Sequence, residues 1–434
     1  MRADEWLARH SIAYRNWSWH RIGLRIARER DVATNATSQP SRAERIEWRA
    51  FWLCEVFPAG AAGALERTLA ELEEKAYGLR SRRDSAAARV RGRSGSWGGM
   101  YWHPLAWAKP RSRYPHIEGY EIEIPPFIDH VRLSLHSPIP GLHLLVGCFV
   151  FEEEARSRPT ELLLRDYTTT SERHGSSYSV WDSDAHKGLA IRQLRFEAKE
   201  AGARWLRDVV GAKGLFASAT LDRGRYPAVE FWTTRVAAPL DHEGPDETRE
   251  YMRPLDLDHA PHVWTAETLP GLLLADAPTD NPSLPWTTEP SHSLLLIARE
   301  EELYADLDWE SLHRGSRDHW SELGYLEEDA TSLAAANGLY RSVIVYERQL
   351  GRLNDDLLAL QVGSVRQAAR TFRRLERDFL RLSSDALPFA TALRAERGHL
   401  ARAFRYYRGT DYVSRNPEIK ETWFDSVVST ASTA

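Results

Sequence analysis

Length, composition and charge already limit what this chain can be. It has 434 residues, enough for two or three domains at about 100–200 residues each, and 42% of them are hydrophobic and 27% charged. With only 2 cysteines, the composition excludes a disulfide scaffold. The 26 glycines and 22 prolines are about the background level, which excludes bulk disorder. The formal net charge of -5 excludes a chain-wide polycation, so any basic surface that binds nucleic acid must be local.

The N-terminal residues and the longest apolar run bear on where the protein works. The first 17 residues carry charges throughout and lack the apolar segment of a secretion signal. The longest apolar run, 142–151, is about half as long as the roughly 20 residues of a membrane-spanning helix. Lysine occurs at six positions only, and such an excess of arginine is typical of GC-rich bacterial genomes. We therefore expect a cytoplasmic bacterial protein without a membrane span.

The first 76 residues predict two strands and a helix. Apolar residues alternate in 17–27, which predicts a half-buried strand, and again in 48–56, which predicts a strand that is apolar on both faces. In both stretches we assign the tryptophans, at 17, 19, 48 and 52, to the core. Leucines at 65, 69 and 72 and an alanine at 76 then follow a helical spacing, so a helix should pack back on the strands. This is a β-β-α unit.

A second β-β-α unit is predicted after a loop. A strand around 131–135, a turn at 137–141 and a strand at 142–151 form a hairpin. Two helices should follow, the second beginning at Asp182 or Ser183 as N-cap and continuing through Ile191 to Trp205. Both cysteines, Cys54 and Cys148, have apolar neighbours and are expected to be buried, inert thiols.

The remaining sequence changes from short strands to helices near residue 300. Short strands are predicted at 229–236, 269–274 and 293–298. Apolar residues in 339–382 then repeat in steps of three and four with one skip, which predicts a single helix of about 66 Å. Pro388 should end it, and a second helix through 393–407 should fold back as a hairpin. A last short helix is predicted after Asn416.

These elements predict an α+β fold. An antiparallel or mixed sheet built from β-β-α units is followed by a helical C-terminal region with a long helix or a helical hairpin. We expect an α+β domain at 1–211, a β-rich, loop-rich extension of it at 212–298, and a helical domain at 299–434.

Residues 80–113 are a local concentration of positive charge. Eight arginines and one lysine stand against one aspartate, and four glycines could let backbone N–H groups approach an anion. The candidates for anion or nucleic-acid binding are Arg80, Arg82, Arg83, Arg89, Arg91, Arg93, Trp97, Trp102 and Trp107. A solvated linker whose aromatic residues fold onto the sheet is the alternative. Five tryptophans, at 97, 102, 107, 264 and 286, fall in predicted loops, where recognition would be sought first.

Two segments of opposite charge follow in the C-terminal third. Residues 301–330 carry ten acidic and two basic side chains, whereas 361–410 carry eleven arginines and four acidic residues. A nucleic-acid-binding stripe is one interpretation of the arginines. Because an acidic helical segment lies just upstream, pairing of the two segments within the chain or between subunits is the simpler one.

Histidine and aspartate residues supply the candidates for chemistry. Asp256, Asp258, His259 and His262 are possible metal ligands, but Pro261 interrupts any helix that would align the two histidines. His130, His136 and His143 lie in or beside the predicted hairpin, near Asp129 and Ser134. Proximity in sequence does not make a catalytic triad, so structural roles are expected for these histidines.

The function predicted from these features is that of a non-catalytic interaction or sensor protein. It would self-associate or bind a protein partner through 339–408, and no cofactor is implied. One alternative is nucleic-acid or anion binding by 80–113. Another is a hydrolase that uses His and Asp residues of loops 129–143 or 241–262, with His136 and His259 as the residues to test.

Overall fold

A mixed β-sheet forms the centre of the molecule in a computed structural model of the chain. The structure describes residues 3–77, 85–93, 101–109, 119–139, 141–175, 177–210, 214–218, 226–240, 246–258, 260, 262–269, 271–277, 293–306, 319–360, 411–416 and 418–433, and within 372–394 it describes residues 372, 375–377, 379–380, 383, 386–387, 389–391 and 394.

Eleven strands of this described part join the main sheet, and two more form a separate hairpin. In chain order the strands are β1 (Ile46–Phe57), β2 (Ala76–Tyr77), β3 (Tyr101–Lys109), β4 (Gly119–Glu121), β5 (Ile128–Ile139), β6 (Leu142–Phe151), β7 (Thr170–His174), β8 (Ser177–Trp181), β9 (Ala228–Thr234), β10 (Val263–Ala266), β11 (Leu272–Asp276), β12 (Ser293–Arg299) and β13 (Tyr412–Ser414). The order across the sheet is β13-β10-β11-β12-β9-β1-β6-β5-β3-β4-β2, and β7 pairs with β8. The pairs β9–β12 and β3–β4 are parallel, and the other pairs are antiparallel.

Helices cover both faces of the sheet. In chain order they are α1 (Ala3–Thr37), α2 (Ala62–Glu74), α3 (Ala86–Arg93), α4 (Glu153–Arg156), α5 (Arg158–Leu164), α6 (Ser183–Val210), α7 (Leu215–Ser218), α8 (Asp246–Met252), α9 (Glu300–Asp306), α10 (His319–Leu360) and α11 (Trp423–Thr433), with 3-10 turns at Ala59–Ala61 and Arg253–Leu255. The mixed α and β content confirms the α+β fold class. None of the described helices is both long enough and apolar enough to cross a bilayer.

β1 is central because it is apolar on both faces. All twelve of its residues are buried, between β6 on one side and β9 on the other. The pairing with β9 shifts between Trp48 and Ala50, so Arg49 is the extra residue of a β-bulge. The bulge turns Trp48 to the face that carries Phe51, and their ring centroids lie 5.6 Å apart.

Glycines let one long helix approach each face of β1. On the first face, a Cβ at Gly202 of α6 would lie 2.8 Å from Cε2 of Phe51. On the second face, a Cβ at Gly338 of α10 would overlap the Sγ of Cys54 and lie 2.9 Å from its Cβ. Residues 330–339 of α10 are all buried and are mostly Ala, Ser and Thr. Small side chains therefore let this helix run directly on the sheet.

Many of the predicted elements are present at nearly the predicted positions. β1, the β5–β6 hairpin, β9, β11, β12 and α2 match their patterns, although α2 is shorter than the predicted helix. The Oδ1 of Asp182 accepts a 2.8 Å hydrogen bond from the backbone N–H of Ala185, which confirms Asp182 as the N-cap of α6. Both cysteines are buried, as expected.

The predicted strand at 17–27 is wrong, because these residues lie inside α1. The apolar positions Ile12, Trp19, Ile22 and Ile26 follow helical steps of seven, three and four, and a window limited to 17–27 hides that period. Trp17 and Trp19 are exposed rather than in the core. The first predicted unit is therefore α-β-α rather than β-β-α. The prediction of loops is also wrong at three tryptophans, because Trp102 and Trp107 lie in β3 and Trp264 lies in β10.

The helix predicted over 339–382 is present from Leu339 to Leu360 within α10, but it does not continue as a single helix to residue 382. The rings of Tyr346 in α10 and Phe389 pack with centroids 5.3 Å apart. A continuous helix would place residue 382 about 54 Å from Tyr346, and the seven residues to Phe389 span at most about 25 Å. The chain therefore reverses before Phe389, as the long helix or hairpin of the predicted fold class allows. All described residues of 372–394 are helical, and this segment packs beside α10 where Phe389 meets Tyr346. We call residues 347–360 together with the described residues of 372–394 the distal arm.

Strands of the main sheet come from all three of the predicted domain ranges. β13 pairs with β10 at one edge, and α10 packs across β1 in the middle. The predicted final helix begins at Trp423 rather than near Asn416, whose side-chain Oδ1 instead accepts a hydrogen bond from the backbone N–H of Glu418 in a turn. The predicted helix through 393–407 lies largely outside the described residues.

Candidate functional site

The first candidate, the histidines of the β5–β6 hairpin, is built into structural contacts. The Nδ1 of His130 lies 2.8 Å from an Asp129 carboxylate oxygen, and its Nε2 lies 3.0 Å from Nε of Arg132. The arginine N–H must donate to Nε2, so His130 donates from Nδ1 to Asp129. A guanidinium N of Arg132 also donates to Glu327 of α10. Both nitrogens of His130 are therefore engaged, and Nε2 does not face a nucleophile.

The other two histidines pair with serines inside the sheet. His136 Nε2 lies 3.4 Å from the Ser134 oxygen, and His143 Nδ1 lies 2.7 Å from the Ser137 oxygen. All four side chains are buried, and burial lowers the pKa of His136 to about 3. The geometry joins Asp129 to His130 and Ser134 to His136, but it does not join the three groups of an Asp-His-Ser triad.

A second region is a buried ion cluster on the α6 face of the sheet. Glu230 of β9 is fully buried and accepts bonds from Arg195 at 2.9 and 3.0 Å and from Lys199 at 2.6 Å. Lys199 also donates to the hydroxyl of Ser293, and the Trp232 indole N–H lies 3.1 Å from the carboxylate. The two cations lower the pKa of Glu230 against the opposing effect of burial. The cluster joins α6 to β9 and β12.

A third region is an open cavity of about 710 Å³ at one edge of the sheet. We call it the edge pocket; its lining residues are Arg45, Arg235, Glu300, Glu301, Tyr304 and Ala305. Arg45 precedes β1, Arg235 follows β9, and Glu300 follows β12. Because β9 and β12 are parallel, their carboxyl ends meet at this edge.

The Glu44 carboxylate fixes the backbone on two sides of the edge pocket. It accepts hydrogen bonds from the N–H groups of Arg45 at 3.0 Å and Arg235 at 2.8 Å, and from Val236 and Ala237. The hydroxyl of Tyr251 donates to the same carboxylate at 2.6 Å. This one buried residue therefore holds the loop after β9 against the start of β1.

The charged side chains around the edge pocket are unevenly paired. Buried Glu47 contacts both Arg45 and Arg49, and Arg49 also lies 2.5 Å from Glu300. Burial and the nearby charge of Arg49 lower the pKa of Arg156. Arg235 is exposed and makes no ion pair with any residue that the structure describes. The sequence patterns did not single out this site, because its residues flank three strands that are distant in sequence.

The distal arm is a fourth region and exposes large apolar side chains. Those exposed by half or more are Leu350, Leu357, Leu358, Phe372, Phe379, Leu380 and Leu387. Leu350 and Leu357 belong to the repeat of α10, whose earlier members Leu339 and Val343 are buried. The repeat therefore continues beyond the surface that the sheet and the neighbouring helices cover.

The basic segment 80–113 is described only in part. Arg80, Arg82, Arg83 and Trp97 lie outside the described residues; Arg89, Arg91 and Arg93 belong to α3, and Trp102 and Trp107 to β3. The Nε of Arg91 donates to Glu66 of α2 at 2.7 Å. At least one of these arginines therefore has a partner within the chain. Binding of an anion or nucleic acid by this segment stays a prediction.

Asp256, one of the predicted metal ligands, and Glu327, one of the acidic residues of 301–330, make contacts other than the predicted ones. Asp256 accepts a hydrogen bond from Arg192, and His259 lies outside the described residues. Among the residues that are described, no three His, Cys, Asp or Glu side chains converge as metal ligands. Glu327 of the acidic segment pairs with Arg132 of the sheet. Comparisons of the chain with protein-family models, with curated proteins and with solved structures find no match.

Proposed function

We propose that the protein is a non-catalytic interaction protein that self-associates through its distal arm. The supporting observation is the exposure of the apolar side chains of this arm, which ranges from 50% for Leu350 and Leu357 to 67% for Leu387. Helices of this kind are stable when their apolar side faces a partner. Large exposed apolar patches on soluble proteins commonly mark interaction sites.

A second copy of the chain fits the arm because both charge signs occur beside the apolar residues. Arg352 and Asp355 are exposed near Leu357, and Glu376 and Arg377 are exposed near Phe379. In a twofold dimer the same patch meets itself, so the patch must be self-complementary. A patch with mixed charges meets this condition, and two helical pairs would form a four-helix arrangement.

Light scattering of the full chain tests the proposal. We expect a mass of twice the 49.6 kDa of one chain. The double variant Leu357→Glu with Phe379→Glu should be monomeric, since it places charges in the apolar contact. Both side chains are exposed, so the variant should keep its far-UV circular dichroism spectrum and its thermal unfolding temperature.

A matched control is Val32→Glu in α1, because Val32 is 81% exposed and lies outside the arm. This variant should remain dimeric. A monomeric full chain at micromolar concentration would overturn the proposal of self-association. A double variant that stays dimeric would show that the distal arm is not the interface.

A further inference from the structure

The edge pocket holds two arginines directly opposite each other. Ile46 and Thr234 are the last paired residues of β1 and β9, and the N–H of Arg235 donates to the carbonyl of Arg45 at 3.1 Å. Side chains at directly opposite positions have Cβ atoms about 5 Å apart, and like charges there repel. Both residues line the pocket. This repulsion is relieved when an anion lies between the two guanidinium groups.

The pocket is prepared for such an anion before binding. Glu47 is shared by Arg45 and Arg49, and Glu300 is held by Arg49, so neither carboxylate neutralises Arg235. The Glu44 carboxylate accepts hydrogen bonds from the backbone N–H groups of both arginines and so already fixes their backbone positions. A rigid site loses less conformational entropy on binding than a mobile one.

Three other lining residues of the pocket, Glu301, Tyr304 and Ala305, contribute a different chemistry. Glu301 is exposed and makes no ion pair within the described part of the chain. Its carboxylate repels a second anionic group and accepts hydrogen bonds from hydroxyl groups. Tyr304 and Ala305 contribute an apolar stretch beside it. A cavity of about 710 Å³ is in the size range of small-molecule sites.

We propose that the edge pocket binds a small phosphate monoester that carries hydroxyl groups, such as a sugar phosphate or a mononucleotide. The phosphate oxygens accept from the guanidinium groups of Arg45 and Arg235, and the hydroxyl groups donate to Glu301. Two forked guanidinium groups match the three terminal oxygens of a phosphate better than the two oxygens of a carboxylate.

Isothermal titration calorimetry on the full chain tests this assignment, with glucose 6-phosphate, adenosine monophosphate, inorganic phosphate, glucose and glutamate as probes. At least one of the two phosphate esters should bind saturably, and glucose should not bind. Arg235→Gln should weaken that binding at least tenfold. Because Arg235 is exposed, this variant should unfold at the same temperature as the unchanged protein.

Two further variants complete the test. Arg25→Gln removes an exposed arginine of α1 that pairs with Glu29 and does not line the edge pocket, and this variant should bind like the unchanged protein. Glu301→Gln should reduce the preference for the ester over inorganic phosphate. No saturable binding of either ester, or equal affinity in the Arg235→Gln variant, would overturn the proposal. Tighter binding of glutamate than of both esters would overturn the assignment of a phosphate.

Discussion

At the scale of single residues, the most informative groups are buried carboxylates. Glu55 of β1 accepts backbone hydrogen bonds from Val56 at 2.9 Å, Phe216 at 2.8 Å and Ala217 at 2.9 Å. Burial raises the pKa of Glu55 to about 7, although these N–H groups favour the charged form. Gly214 is required beside it, since a Cβ there would overlap the carboxylate. Glu55 therefore joins the loop at α7 to the central strand.

The raised pKa predicts a stability that falls as pH rises. Between the unfolded value near 4.5 and the folded value of about 7, the folded state binds more protons than the unfolded state. From pH 5 to pH 8 the free energy of unfolding should therefore fall by about 2–3 kcal/mol more in the unchanged protein than in Glu55→Gln. Urea unfolding at both pH values measures this difference.

Glu172→Gln provides the control for this experiment, because Glu172 is exposed in β7. It should follow the pH dependence of the unchanged protein. If Glu55→Gln followed that dependence as well, the titration of Glu55 would not contribute to stability.

Glu230 predicts a different residue-scale effect. Glu230→Gln removes the negative charge between buried Arg195 and Lys199 and leaves two cations in the interior. The expected loss is about 3–5 kcal/mol of unfolding free energy. Glu29→Gln in the exposed pair with Arg25 should change it by less than about 0.5 kcal/mol. Similar losses in the two variants, measured by urea unfolding, would contradict the structural role of the cluster.

At the scale of elements, α10 combines two environments in one helix. Its residues 330–339 are buried against the sheet, whereas Leu350 and Leu357 are exposed. Glycines occur in both parts. Gly338 lies against Cys54, but a Cβ at Gly351 would have no heavy atom within 4 Å. The same substitution should therefore have opposite effects at the two positions.

Gly338→Ala should destabilise the protein by about 1–3 kcal/mol, because the methyl group forces α10 away from β1. Gly351→Ala should stabilise it by up to about 1 kcal/mol, since alanine favours the helix. Thermal and urea unfolding of both variants check the two signs. Stabilisation by Gly338→Ala would show that α10 does not run directly on Cys54.

At the scale of the whole molecule, the sheet depends on the C-terminal region. The buried part of α10 covers β1, and β13 pairs with β10. A chain that ends at residue 299 lacks both, so it exposes apolar sheet surface and an unpaired edge strand. We expect it to aggregate or to lack a cooperative unfolding transition by near-UV circular dichroism. A folded, soluble 1–299 chain would support the predicted boundary at 299 as a true domain limit.

Local sequence patterns predicted the elements whose contacts repeat along the chain. The alternation of β1, the apolar run of β6 and the Asp182 cap of α6 are each visible within one short window. The pattern at 17–27 predicted a strand wrongly. Only one side of α1 is partly covered, and the spacing of its exposed isoleucines and tryptophans over this short window resembles the alternation of a strand. The periodicity of apolar residues indicates a helix only where one face of the helix is buried. Because α1 buries little of its length, its sequence lacks a clear helical period in this window.

Composition and patterning alone determined the α+β class, the central strands and the buried thiols, since all of these follow from apolar residues leaving water. Only the tertiary structure decided which arginines face each other and which of the apolar repeats stay exposed. Arg45, Arg235 and Glu300 meet because β1, β9 and β12 are neighbours in the sheet, which no spacing along the chain encodes. Likewise Leu339 and Leu357 belong to one repeat, yet only the first lies over the sheet and is buried.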